Sequence, residues 1–206
     1  MKYLVGIYNL PLLVTMLGLI SALSACMLSF NHRLNLAMAC FVMAGLCDLF
    51  DGFVARRLKT TEEESVFGLY IDSTVDAVNF GAVPVVLLLH WGFNSWPDYL
   101  LFMFYCSCAV IRLAYFNLLQ RESQGPFTHY MGLPVTYSSL FIPIVMTIGT
   151  ALPGSVSSLL VRVCMLALGF FFVLKIPIKK PGGVFYLFFS VLGLLVISFW
   201  LLRAFN

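Results

Sequence analysis

Residues 34–57 read LNLAMACFVMAGLCDLFDGFVARR: a largely apolar run whose only charged residues before the closing Arg56 and Arg57 are Asp48 and Asp51. About 20 apolar residues cross the hydrocarbon of a bilayer, so this stretch reads as a membrane span carrying acids near one end. Working outward, apolar runs of similar length recur at 8–30, 62–90, 97–119, 131–151, 156–177 and 183–203. Of the 206 residues, 61% are hydrophobic and 10% charged, whereas soluble domains carry about 25% charged residues. Backbone surrounded by lipid must satisfy its own hydrogen bonds, which helices do. The expected fold is therefore all-α, a polytopic membrane bundle of six to seven transmembrane helices, with residues 1–206 forming one domain.

The breaks between runs carry turn residues: Asn31-His32-Arg33, Gly92 to Pro97, Gln124-Gly125-Pro126, Pro153-Gly154-Ser155 and Lys179 to Gly183. Basic residues set the orientation. With the N-terminus cytoplasmic, Lys2, Arg56, Arg57, Lys59, Arg121, Lys175, Lys179 and Lys180 fall inside, Arg33 and Arg203 outside, and Arg112 and Arg162 within spans. The expected location is thus the cytoplasmic membrane, with the acidic ends of the spans facing the cytoplasm. Leu23-Ser24-Ala25-Cys26 imitates a lipoprotein cleavage signal, but the apolar run already spans uncleaved and continues to Phe30, so a retained first helix is expected. The six cysteines form no CxxC pair and read as small packing residues. The net charge of +3 without a basic face excludes nucleic acid as a partner.

Four acids sit within spans: Asp48, Asp51, Asp72 and Asp76. A central aspartate costs roughly 2.5–3.5 kcal/mol to insert, and four together repel one another. Bound divalent cations would offset both costs. Asp48 and Asp51 are i, i+3 and share a helix face, while Gly68, Asp72 and Asp76 form an i, i+4, i+8 stripe. Two antiparallel helices joined by a short turn would bring the stripes face to face as a cage of hard oxygen ligands, suited to Mg2+ or Mn2+. Such ions clamp phosphoryl oxygens during in-line displacement. Gly52 and Ala55 share the face of Asp48 and Asp51 and leave room for a substrate, and Arg56 is placed to neutralise a diphosphate or else to serve, like Arg57 and Lys59, as a positive-inside anchor. Thr61 with Glu64 reads as a capping box, so Glu62, Glu63 and Glu64 belong to a solvated first turn.

Asp48-x-x-Asp51-Gly52-x-x-Ala55-Arg56 followed by Gly68-x-x-x-Asp72-x-x-x-Asp76 resembles the signature of the CDP-alcohol phosphotransferases. One departure is the eleven residues between Arg56 and Gly68, more than the commonest form has, and these lie in the loop and cap. Further stretches look like the phosphatidylserine-forming branch: Asp72-Ser73, Phe80-Gly81 with Pro84, Arg112-Leu113-Ala114 with Phe116-Asn117, and Gly132-Leu133-Pro134. Asn9-Leu10-Pro11, Thr15 and Lys179-Lys180-Pro181 are similar but weaker. The resemblance implies two divalent cations on Asp48, Asp51, Asp72 and Asp76. It implies a place for the cytidine diphosphate of CDP-diacylglycerol at Gly52, Ala55, Arg56 and Gly68. Asp76 would act as general base on the incoming alcohol, CMP would leave, and the chain would pair as a homodimer.

The alcohol implied by that branch is L-serine, whose carboxylate needs a cation. Arg112 is placed to meet it, or else to pair with a carboxylate of the metal site. Asn117 and Asn79 are candidate hydrogen-bond donors to the acceptor, or else packing residues. Arg162 has no direction assigned by the sequence and is compatible with snorkelling outward. The alternatives are another acceptor (glycerol phosphate, inositol phosphate or a lipid), a cation transporter that binds ions through these aspartates, or a membrane scaffold. A transporter leaves Gly52, Ala55 and Arg56 unexplained and usually shows repeats that this chain lacks.

Overall fold

In the computed structural model, residues 5–55, 61–122, 129–179 and 183–206 are described. Lys2, Arg56, Arg57, Lys59, the Gln124-Gly125-Pro126 turn and Lys180 lie outside them. The Asn9 side chain accepts from the Leu12 amide at 3.1 Å and starts helix α1 (Leu10–Phe30), with Pro11 in its first turn. Helix α2 (Leu34–Ala55) returns beside it. The expected capping box holds: Thr61 and Glu64 bond reciprocally and open α3 (Glu62–Asp76). That helix runs through a π-helical segment, Ala77–Ala82, into α4 (Val83–His90), and α5 (Trp96–Glu122) follows. A 3-10 turn at Val135–Tyr137 leads into α6 (Ser138–Gly149), then come α7 (Gly154–Val173) and α8 (Val184–Phe205).

Among the described residues, six helical stretches are long and apolar enough to cross a membrane, and the expected span at 131–151 is instead a shorter helix over Val135–Gly149. The reason is local. Gly132 takes φ 77°, and Pro134 disfavours helical geometry in the residue before it. Residues 129–131 therefore form a strand, β1 (His129–Met131), antiparallel to β2 (Pro177–Lys179), with Tyr130 opposite Ile178. The purely helical expectation missed this small clasp, which also ends α7 at Val173, earlier than the expected 177.

Helix α2 is the centre of the bundle, packed against α1, α8, α6 and α4. Ala37, Met38, Phe41 and Ala44 on it have no exposed surface. Its contact with α6 depends on Gly45, where an added Cβ would run into the Ser139 hydroxyl. Small residues at such crossings let helices pack closely in lipid, where burial alone drives little association.

The reading of Arg162 is corrected. Its guanidinium donates to both oxygens of Asp98, at 2.7 and 3.1 Å, tying α7 to α5. Asp98 is 1% exposed and also accepts from the Ser95 amide and hydroxyl at the start of α5. It is a further buried acid, paired with Arg162 rather than placed with the other four. Arg162→Ala is expected to lower the melting temperature by the equivalent of about 1–2 kcal/mol, less than a fully buried pair because Arg162 is partly exposed. Specific activity per folded molecule should be unchanged, and a thermal melt read beside an activity assay checks both.

Candidate active site

The end of α2 presents Asp48 and Asp51 one turn apart, and α3 presents Asp72 and Asp76 one turn apart on the facing side. Three of the four converge: one oxygen each from Asp48, Asp72 and Asp76 lies within 4.8 Å of the others, while Asp51 stands outside that cluster on the same cavity. Asp48 also lies against the Thr136 side chain, brought in by the 3-10 turn before α6. Asp51 is 7% exposed and is held from α1, where the Thr15 hydroxyl lies 2.9 Å from its Oδ2 and 3.1 Å from the Pro11 carbonyl.

These acids line a cavity of about 180 Å³ together with Gly52, Arg112, Tyr137 and Tyr186. The wall also has an apolar part, made by Val42, Leu46, Leu140, Phe189 and Gly193 of α2, α6 and α8. Arg112 enters from α5, is 6% exposed, and stacks over the Phe116 ring at 4.8 Å. Its charge reaches Asp48 and Asp72. Among the described residues the lining holds four carboxylates and one guanidinium, so the ionised acids are under-compensated by the protein itself. Hard oxygen donors in a tight cluster fit divalent cations such as Mg2+ or Mn2+, and the excess of negative charge supplies the attraction.

Arg112 also lines a second cavity of about 150 Å³, whose other walls include Tyr115, Phe172 and Lys175. The Lys175 ammonium sits 5.8 Å from the Tyr115 ring centre. One buried cation therefore stands between the acidic chamber and a basic, aromatic one.

The remaining candidates fall differently. Gly68 lies one turn before Asp72, and an added Cβ there meets nothing within 4 Å, so the space over that turn is open. Ala55 closes α2, and Arg56 lies outside the described residues. Asn117 does not line the acidic cavity; it accepts a 2.7 Å hydrogen bond from the Ser73 hydroxyl. That places it as a brace of α3. Asn79 is buried within the π segment, also away from the cavity. Thr136, Tyr137 and Tyr186 were missed as site residues because each arrives from a distant element. Only Gly132-Leu133-Pro134, just upstream, drew attention to this loop, and as a family resemblance without a position relative to the acids.

A family model described as CDP-alcohol phosphatidyltransferase matches residues 8–175. The CDP-diacylglycerol–serine O-phosphatidyltransferase of Mycobacterium tuberculosis (strain H37Rv) is 35% identical over 134 residues, covering 63% of this chain and 46% of that protein. The protein of the same name from Methanocaldococcus jannaschii is 29% identical over 179 residues, covering 86% of this chain and 78% of that one. An archaetidylserine synthase of Methanothermobacter thermautotrophicus is 27% identical over 183 residues, covering 88% and 74%. The chain spans less than half the length of the mycobacterial relative.

Proposed function

The chain belongs to the CDP-alcohol phosphatidyltransferase family, and from that premise we propose that it transfers a phosphatidyl group from CDP-diacylglycerol to the hydroxyl of L-serine, releasing CMP. The observation that carries this reading is the convergence of Asp48, Asp72 and Asp76 within 4.8 Å, with Asp51 on the same cavity. The names of the relatives supply the donor and acceptor.

Asp48, Asp51, Asp72 and Asp76 would hold two divalent cations. Bound there, such ions neutralise the diphosphate and polarise its oxygens. The chain's own residues do the rest. Gly52 and the open turn at Gly68 leave the helix backbones bare where the nucleotide diphosphate docks, approached from the cytoplasmic side in the orientation set by the basic residues. The apolar wall of α2, α6 and α8 receives the glycerolipid end. Asp76 takes the proton of the serine hydroxyl. The serine oxygen then bonds to the phosphorus that carries diacylglycerol, the phosphoanhydride bond breaks, and CMP departs with the bridging oxygen. Positioning and charge neutralisation carry most of such a transfer.

Serine is recognised by charge. Arg112, buried between the acidic and the basic chamber, is placed for the serine carboxylate, with Lys175 nearby on the second chamber. Acceptors supplied one at a time to purified protein test this. CMP release is expected with serine and not with inositol, inositol phosphate or glycerol phosphate. Arg112→Ala should raise the KM for serine about 10- to 100-fold, the worth of a charge-assisted contact. Release driven by another alcohol alone, or a serine KM untouched by Arg112→Ala, contradicts the assignment.

A further inference from the structure

Asp76 is the last residue before the π segment, so whatever holds that segment sets where Asp72 and Asp76 point. The segment has an identifiable cause. Pro84 has no amide hydrogen, and in a regular helix its ring would collide with the carbonyl of Phe80. The chain answers with a wider turn, in which the Val83 amide reaches back to the Val78 carbonyl. Pro84 thus denies the Phe80 carbonyl its regular helical donor, at a position with no exposed surface. An unmet carbonyl is costly in such surroundings.

Other helices supply the missing donors. The Tyr105 hydroxyl of α5 bonds to the Phe80 carbonyl at 2.6 Å, and the Ser138 hydroxyl of α6 approaches it at 3.4 Å. The Cys106 thiol reaches the Gly81 carbonyl at 3.2 Å. Tyr105 and Ser138 are both wholly buried, and the Tyr105 ring is fixed against Phe172 at 5.4 Å. Ser138 begins the helix whose leading turn sets Thr136 against Asp48. One carbonyl thus joins the acid-bearing α3, the Arg112-bearing α5 and the start of α6.

We propose that Tyr105 is a positioning residue for the reaction: through the Phe80 carbonyl it holds the π segment that sets Asp72 and Asp76 in register with Asp48. The proposal rests on the divalent-cation reading of the aspartates and reaches a residue outside their cavity.

The test is Mn2+ binding by the purified full chain in detergent, read from the spectrum of free Mn2+ without turnover, with CMP release measured alongside. Tyr105→Phe keeps the ring and removes only the hydroxyl. It is expected to weaken Mn2+ binding about tenfold and to raise the Mn2+ concentration for half-maximal CMP release by a similar factor. In a Pro84→Ala background, residue 84 regains an amide for the Phe80 carbonyl, and adding Tyr105→Phe should then change Mn2+ binding by less than about twofold. If Tyr105→Phe alone does not fold, the double variant should fold and bind Mn2+; its failure to do so overturns the proposal. Equal Mn2+ binding by wild type and Tyr105→Phe, or an undiminished effect in the Pro84→Ala background, removes the positioning role and leaves the metal reading standing. A wild-type chain that binds no Mn2+ removes both.

Discussion

Asp76→Asn should abolish CMP release, with a fall of about a thousandfold or more, while the protein remains folded and still binds the CDP-lipid. Asparagine keeps the shape of aspartate, so the packing at the end of α3 is preserved. It cannot accept the serine proton, a loss alone worth about 100- to 10,000-fold, and it is a poor ligand for a hard cation. The substitution also removes one of three like charges within 4.8 Å, so thermal stability without added metal is expected to stay level or rise. That combination separates a catalytic acid from a structural one: activity is lost, stability is not. A variant with near-normal turnover would strip Asp76 of the base role.

Gly45→Val is the second large effect, and it acts through packing. A Cβ at residue 45 runs into the Ser139 hydroxyl, both partners belong to rigid helices, and neither can swing aside as a long side chain would. Overpacking of this kind costs about 1–3 kcal/mol. The damage extends beyond stability, because Gly45 and Ser139 both line the acidic cavity and α6 follows directly from the turn carrying Thr136. Forcing α2 and α6 apart moves Thr136 away from Asp48 and widens the apolar wall. A lower melting temperature and a loss of activity beyond that explained by unfolding are expected from melts and initial rates on the same preparation. Wild-type values for both would mean that the crossing is looser than the packing of Gly45 against Ser139 implies.

Much of this was legible in the residues. Membrane spans announce themselves because lipid forbids alternatives: a long apolar run has to be a helix, and its ends fall at turn residues such as Asn31-His32-Arg33. The convergence of Asp48 with Asp72 and Asp76 was legible for a related reason. Helical spacing fixes which side chains share a face, and a short connection fixes which faces meet. The sequence was less informative wherever geometry depends on elements distant in the chain. Asp98 and Arg162 are 64 positions apart, and no local pattern pairs them. The clasp of β1 with β2 joins two proline-bordered loops that each read as the edge of a span. Asn117 illustrates the limit of spacing on one helix: it lies five residues after Arg112, so the two point in different directions, one into the cavity and one onto Ser73. The third span read as one unbroken run over 62–90, and nothing local to Pro84 indicated the π segment or that Tyr105 and Ser138 would meet the Phe80 carbonyl.

The most direct measurement is the incorporation of labelled L-serine into lipid by the purified chain, supplied with CDP-diacylglycerol and Mn2+, before and after chelation. The account predicts a labelled lipid product formed in step with CMP, lost with the chelator and restored by excess Mn2+. Lipid-free serine and no CMP, in a folded protein that binds Mn2+, would contradict it and return the four aspartates to the role of an ion-binding site.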